Sequence, residues 1–308
     1  MRIAIIGAGA MGSIYAYYLS NGNDVTLIDA SAQRVSFLRE NGICLLENDG
    51  RSLQHPCNVF SSSGNLGVMD LVLVFVKALY TATALKENYQ LIGRETIVLS
   101  LQNGYGAWDV INSIVKCRVL VGTSMHGATM RPDGVVAHTA VGVTTIGSPD
   151  NSCTAVNTLV QIFSRCGLPT KASDNILQNI WQKLIINAGI NGITAILRIR
   201  NRHMAACNYA LDLSDNIVSE AVAAANAAGC TFDTVQMRQI VHDTARITGD
   251  NLSSMTQDIQ ARRQTEADFI YAPILRVSAA HNLSCPFTQA IYDLLQSTHA
   301  AILSGELL

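Results

Sequence analysis

The sequence predicts an α/β chain in two domains, a doubly wound parallel sheet followed by an all-helical domain. Three observations carry this. A strand–helix–strand unit opens the chain, continuous apolar runs recur after it, and strand signals stop near Lys171-Ala172-Ser173-Asp174. A length of 308 residues also exceeds what one hydrophobic core usually serves.

Residues Arg2–Ile6 form a short apolar strand, 12–21 a helical stretch and 25–28 a second strand, a βαβ unit that demands parallel pairing. The runs at 71–76, 96–101 and 118–121 are apolar without alternation, as strands buried on both faces are. Between 134 and 148 the pattern changes to Gly, Thr and Val with turn residues, and 135–139 with 143–147 is expected to add an antiparallel hairpin to the sheet. Beyond that the chain reads as helices rich in Ala, Leu, Gln and Asn. The expected domains are therefore 1–172 and 173–308, with no internal repeat or low-complexity tract.

A hydrophobic fraction of 49% against 14% charged residues describes a globular protein with a large buried fraction. The net charge of -2 gives no electrostatic basis for a nucleic-acid or anionic-membrane partner, so a small molecule is expected. No basic and apolar leader precedes the first strand, and no run of about 18 residues lacks polar interruption, which reads as a cytoplasmic protein. The eight cysteines are scattered without C-x-x-C or zinc-ligand spacing, so they read as reduced thiols and no metal is expected. No motif sets the oligomeric state, and a homodimer is compatible with the sequence.

Gly7-Ala8-Gly9-Ala10-Met11-Gly12 fits G-x-G-x-x-G, follows the first strand, opens a helix and is trailed by Asp29 at the end of the second strand. In that context the pattern is a dinucleotide fingerprint of the Rossmann type. Gly7 allows the tight turn, Gly9 lets a pyrophosphate approach the backbone, Gly12 permits close helix–strand packing, and the helix N-terminus at Ala10 and Met11 stabilises phosphate charge. Asp29 can accept hydrogen bonds from the adenine ribose hydroxyls. It would repel a 2′-phosphate, and Ala30 supplies no cation; Arg34 is the first that follows. These residues favour NADH over NADPH. Lys77, just after the 71–76 strand, and Asn103, in the turn Gln102-Asn103-Gly104, fall where ligands bind in open α/β sheets, beyond the carboxyl ends of strands. Position alone leaves Lys77 equally readable as a solvated lysine at a helix start, and Asn103-Gly104 as an ordinary turn.

The apolar stretch 180–197 has helical length yet carries Lys183, Asn187 and Asn191 at intervals of four. Each such step drifts only about 40° around a helix, so the three share one face. A polar stripe on a largely buried helix must find partners or line a cavity.

Further on stand Asn251-Leu252-Ser253-Ser254-Met255-Thr256-Gln257-Asp258 and Arg262-Arg263-Gln264-Thr265-Glu266-Ala267-Asp268. With the glycine fingerprint, the Gln102-Asn103-Gly104 turn and the Lys183/Asn187/Asn191 helix, in this order, they make the chain resemble the ketopantoate reductase family (2-dehydropantoate 2-reductases) over nearly its whole length. The resemblance implies an N-terminal Rossmann-type doubly wound sheet, an all-helical C-terminal domain, and a cleft where a nicotinamide cofactor, NADPH by family default, meets a 2-oxo acid. By motif position Lys183 matches the family's general acid and Glu266 its substrate-anchoring carboxylate. Asn187, Asn191, Asn251 and Ser254 match substrate-contacting positions, and Asn103 a residue near the nicotinamide that also faces substrate.

The residue types suit that chemistry. Hydride delivered to a ketone carbon leaves an alkoxide, which needs a proton donor or cation beside it. A lysine on an apolar helix is both, and burial lowers its pKa toward working pH. The amides and Ser254 can hydrogen-bond a carboxylate or hydroxyl, while Glu266 can accept from a substrate hydroxyl or hold Lys183; the sequence does not separate those two tasks. Locally, Ser254-x-x-Gln257 also fits a capping box, Asp258 and Arg262 an i,i+4 ion pair, and His126 and His138 read as structural.

Two departures bear on substrate. Where the family commonly continues with an Ile-Asn-Gly type run, this chain has Phe269-Ile270-Tyr271-Ala272-Pro273, and Pro273 is expected to kink or interrupt its helix. Where biosynthetic members carry a basic residue after the second strand, this chain has Asp29-Ala30. The readings are thus a reductase making (R)-pantoate from 2-dehydropantoate for pantothenate biosynthesis, an NADH-dependent D-2-hydroxyacid dehydrogenase for other branched or aromatic 2-oxo acids, and a non-catalytic dinucleotide sensor.

Overall fold

The computed structural model describes residues 1–150 and 153–307, and the chain divides into two compact units. The first comprises Met1–Gln102 and Ala107–Asn179, the second Asn103–Gly106 and Ile180–Leu308. The division falls inside a single helix, a turn or two beyond the boundary expected at 173, and the short Asn103–Gly106 turn associates with the helical unit.

In the first unit β1 (Arg2–Ile6), α1 (Ala10–Leu19) and β2 (Asp24–Ile28) form the opening βαβ unit, followed by α2 (Ala32–Asn41). Helix α1 starts at Ala10, earlier than the expected 12, because Gly9 serves as its N-cap and accepts from Ser13 N–H at 2.9 Å. There follow β3 (Ile43–Glu47), β4 (Ser52–His55), β5 (Asn58–Phe60), β6 (Leu71–Val74), α3 (Thr81–Glu87), β7 (Ile97–Ser100), α4 (Ala107–Ile114), β8 (Arg118–Ser124), β9 (Gly127–Met130), β10 (Val136–Ala140), β11 (Thr144–Gly147), α5 (Cys153–Arg165) and β12 (Thr170–Ala172). The main sheet runs β12-β11-β8-β7-β6-β1-β2-β5, parallel throughout except for the β8–β11 pair. Alternate residues of its central strands feed opposite cores: Ile3, Ile5, Leu71, Leu73 and Leu99 on one face, Ala4, Ile6, Val72, Val74 and Val98 on the other. That two-sided burial is why these strands lack polar alternation.

The expected hairpin is corrected by the structure. Strand β11 joins the main sheet, but β10 belongs to a separate four-stranded sheet, β4-β3-β10-β9, where it pairs antiparallel with β9 and parallel with β3. The two strands are consecutive but part company, and His138 of β10 meets Glu47 of β3 at 3.1 Å, in the register where the two strands pair.

The second unit continues α6 (Ile176–Leu197) from Ile180 and adds α7 (Asn201–Ala206), α8 (Asn208–Ala227), α9 (Thr234–Ile247), α10 (Ser254–Gln260), α11 (Ala267–Ala280) and α12 (Pro286–Ser304). Trp181, Leu184, Ile185, Ile217, Val241, Ile270 and Leu295 anchor its core. No helix among the described residues is long and apolar enough to cross a membrane.

Three local expectations change. Helix α10 is capped by Ser253, whose hydroxyl accepts from Thr256 N–H at 3.2 Å, which leaves Ser254 exposed. Asp258 pairs with Arg263 at 3.1 Å, not Arg262, because Arg262 adopts a left-handed φ of 52° that ends the helical register. Helix α11 runs through Pro273 without interruption. Proline cannot donate to the carbonyl four residues earlier, that of Phe269. That carbonyl accepts instead from Tyr105 N–H at 3.0 Å, so the freed acceptor is used by the Asn103–Gly106 turn.

Candidate active site

In the first unit the fingerprint glycines have distinct physical tasks. A Cβ on Gly7, which sits at φ +104°, would come within 2.7 Å of the Phe75 backbone, and one on Gly12 would lie 1.9 Å from the Gly7 carbonyl. A Cβ on Gly9 would meet nothing within 4 Å, and Gly9 is exposed. The turn is thus packed tightly on its inner side and open above Gly9. The first helix bond formed by α1 is the one from Ser13 to Gly9, so the N–H groups of Ala10, Met11 and Gly12 are not consumed by the helix. An open cradle of donors at a helix N-terminus fits a dinucleotide pyrophosphate.

Asp29, just past β2, accepts from Ala8 N–H at 2.7 Å and from Ser31 N–H at 2.9 Å, which fixes its carboxylate beside the glycine turn. Arg34 on α2 donates to Ala8 O, Gly134 O and Ser13 Oγ, each at 2.8 Å, and its guanidinium lies 5.2 Å from the Phe37 ring centroid. This cation is therefore committed to protein acceptors. Lys77 caps a 3-10 turn (Ala78–Tyr80) after β6 and is half-buried. The strand ends are tied together by Gln102, which donates to Val76 O at 2.6 Å and accepts from Ser100 Oγ at 2.9 Å.

In the second unit α6 carries the polar stripe. Lys183 and Asn187 are half-buried and Asn191 is only 7% exposed. Burial pushes the Lys183 ammonium down from its usual range to about 8, with the Glu266 carboxylate pulling the other way. Glu266 is the N-cap of α11 and accepts from Asn103 Nδ2 at 3.3 Å. Lys183, Glu266 and Asn103 thus come from three separate segments to one place. The Asn103 turn is held there by the Tyr105–Phe269 bond and by the Tyr105 ring packing, tilted, against Trp181 with centroids 5.2 Å apart, two residues before Lys183. Gly104, at φ +91°, is needed for this approach, since its Cβ would lie 2.4 Å from the Phe269 carbonyl. Asn251 and Ser254 are exposed, flanking the buried Ser253 that bonds to Thr194 of α6 at 2.9 Å.

The sequence reading had no place for Arg34's three bonds, Tyr105 or the Phe269 carbonyl. The last was foreseeable, because a helical proline leaves an unserved carbonyl four residues back. His126 and His138 lie elsewhere in the first unit, in a buried chain: His126 Nδ1 to His138 Nε2 at 3.0 Å, His138 Nδ1 to Glu47 Oε2 at 2.9 Å, and Tyr18 OH donating to Glu47 at 3.0 Å. Among the described residues no His/Cys/Asp/Glu group could hold a metal ion.

Known proteins resemble the chain over nearly its whole length. The family models for ketopantoate reductase PanE/ApbA and for its C-terminal domain match residues 3–151 and 175–299. The 2-dehydropantoate 2-reductase of Pyrococcus horikoshii is 32% identical over 96% of this chain and 97% of its own length. That of Halobacterium salinarum is 30% identical over 96% of this chain and 98% of its own. Among solved structures, D-mandelate dehydrogenase with NADH and anilino(oxo)acetate superposes with a TM-score of 0.93 at 28% identity, covering 98% of this chain and 100% of that one. The PanE/ApbA family ketopantoate reductase from Ralstonia eutropha JMP134 gives 0.91 at 26% identity, over 98% of this chain and 100% of that one.

Proposed function

The chain belongs to the ketopantoate reductase family, and from that premise we propose that it reduces a branched 2-oxo acid, 2-dehydropantoate first among them, to the (R)-2-hydroxy acid with NADH as donor. The observation that carries this reading is the convergence of Lys183, its ammonium lowered to about 8, with Glu266 and Asn103. Lys183 gives its proton to the ketone oxygen as negative charge develops there, so no free alkoxide forms. Glu266 keeps the ammonium charged in its desolvated surroundings and accepts from a substrate hydroxyl, and Asn103 holds that carboxylate in place. Asn187, Asn191, Asn251 and Ser254 offer neutral hydrogen bonds to the substrate carboxylate and side chain. The reduced nicotinamide, when bound, supplies the hydride. Gly7, Gly9 and Gly12 with the Ala10 and Met11 N–H groups would hold its pyrophosphate, Asp29 its adenine ribose, and Lys77 and Asn103 its nicotinamide end.

NADH is preferred over NADPH because Asp29 repels a 2′-phosphate, Ala30 brings no charge and Arg34 is engaged by three protein acceptors. The same features favour a second reading, an NADH-dependent D-2-hydroxyacid dehydrogenase acting on other branched or aromatic 2-oxo acids. Likeness to a D-mandelate dehydrogenase solved with NADH supports it. Mixing the protein with NADH or NADPH and a panel of 2-oxo acids, while following absorbance of the reduced nicotinamide, tests both. Fastest turnover of 2-dehydropantoate with NADH supports the first reading, and a preference for an aromatic acid supports the second. A tenfold preference for NADPH removes the cofactor assignment, and binding without any turnover makes the protein a sensor.

A further inference from the structure

Tyr271 of α11 is fully buried, and its hydroxyl makes two bonds, both into α6. It donates to the Ala188 carbonyl at 2.9 Å and accepts from the Gly192 N–H at 2.9 Å. Those two groups are the acceptor and donor that close one turn of an undisturbed helix. The Tyr271 hydroxyl bonds both of them, so a side chain of α11 ties the two ends of that one turn of α6. Gly192 makes this approach feasible, because its Cβ would lie 2.4 Å from the hydroxyl. Burial holds the phenol well above its usual range, so it stays protonated and able to donate.

These bonds fall within the polar stripe. Lys183 and Asn187 precede Ala188, whereas Asn191 lies between Ala188 and Gly192, on the turn that the hydroxyl ties to α11. Any change in that turn alters the offset of Asn191 from Lys183. We propose that Tyr271 is a positioning residue, whose hydroxyl sets the distance between the Lys183 acid and the Asn191 amide and so decides which 2-oxo acid side chain bonds both. This rests on the function proposed above. A substrate with a side-chain hydroxyl within reach of Asn191 depends on that offset, and one lacking the hydroxyl does not.

Tyr271→Phe removes both bonds to α11 and leaves the Ala188 carbonyl and Gly192 N–H to pair with each other in the α6 ladder. No buried polar group is left unpaired, so thermal stability should change little. The test compares kcat/KM for 2-dehydropantoate with that for 3,3-dimethyl-2-oxobutanoate, its counterpart without the hydroxyl, in wild type and variant. The expected result is a change of at least threefold in this ratio, carried by KM, with NADH affinity unaltered. A smaller change, whatever happens to the melting temperature, overturns the proposal. A second readout needs no turnover: the side-chain amide signal of Asn191 in an NMR spectrum should move in Tyr271→Phe while that of Asn226 on α8 stays. If wild type reduces neither acid, the functional reading fails, and this readout decides the positioning role. A stationary Asn191 signal overturns it.

Discussion

A lysine is useful as an acid near neutral pH only if its surroundings bring its pKa down, and Lys183 meets that condition by burial. With its pKa at about 8, the ammonium is the dominant form at pH 7 and is lost as the pH rises. Reduction should therefore hold level below about pH 7 and fall through pH 8 as the proton donor disappears. Oxidation of the hydroxy acid, which needs the free amine, should rise over the same interval. Glu266 opposes the downward shift, so Glu266→Gln should move the break to lower pH. Rate profiles in both directions check this, and a break that stays in place or moves up would contradict the assignment. The same physical logic explains Asp29: two backbone N–H donors fix its carboxylate, leaving further lone pairs for ribose hydroxyls.

Elements governed by local periodicity were legible. The βαβ opening, the apolar central strands and the α6 stripe follow from which faces are buried, and residue types record burial directly. The smaller sheet was not legible, because β10 takes its partners from 43–47 and 127–130, a non-local pairing with no local signature. Likewise, nothing along the chain announces that Asn103 meets Glu266 across 163 positions; only the family resemblance placed both at one site. The glycine turn gives the sharpest test at this scale. Gly12→Ala puts a Cβ 1.9 Å from the Gly7 carbonyl, so the turn must shift and the helix N-terminus with it. NADH affinity should weaken at least tenfold in a fluorescence titration while the helical unit keeps its fold. Ala at Gly9, where nothing lies within 4 Å, should leave stability intact and hinder only the ligand.

For the molecule as a whole, the buried His126–His138–Glu47 chain makes folding sensitive to acid. His126 has its pKa lowered to about 4 by burial first and by His138 second. As the pH falls below 6.5 the unfolded chain takes up a proton that the folded chain refuses, so stability drops between about pH 6.5 and 4. His126→Asn should flatten that dependence in urea titrations at pH 7 and pH 5. An undiminished slope would assign acid sensitivity to other groups. In the proposed reaction the first unit contributes the dinucleotide turn, and the second the acid and its hydrogen-bonding neighbours. The most direct measurement is NADH-dependent reduction of the 2-oxo acid panel by wild type and Lys183→Ala side by side, with NADH binding followed by fluorescence. Removing the proposed general acid should lower kcat by on the order of 10²-fold or more while NADH binding persists. Equal turnover by the two proteins would contradict the account.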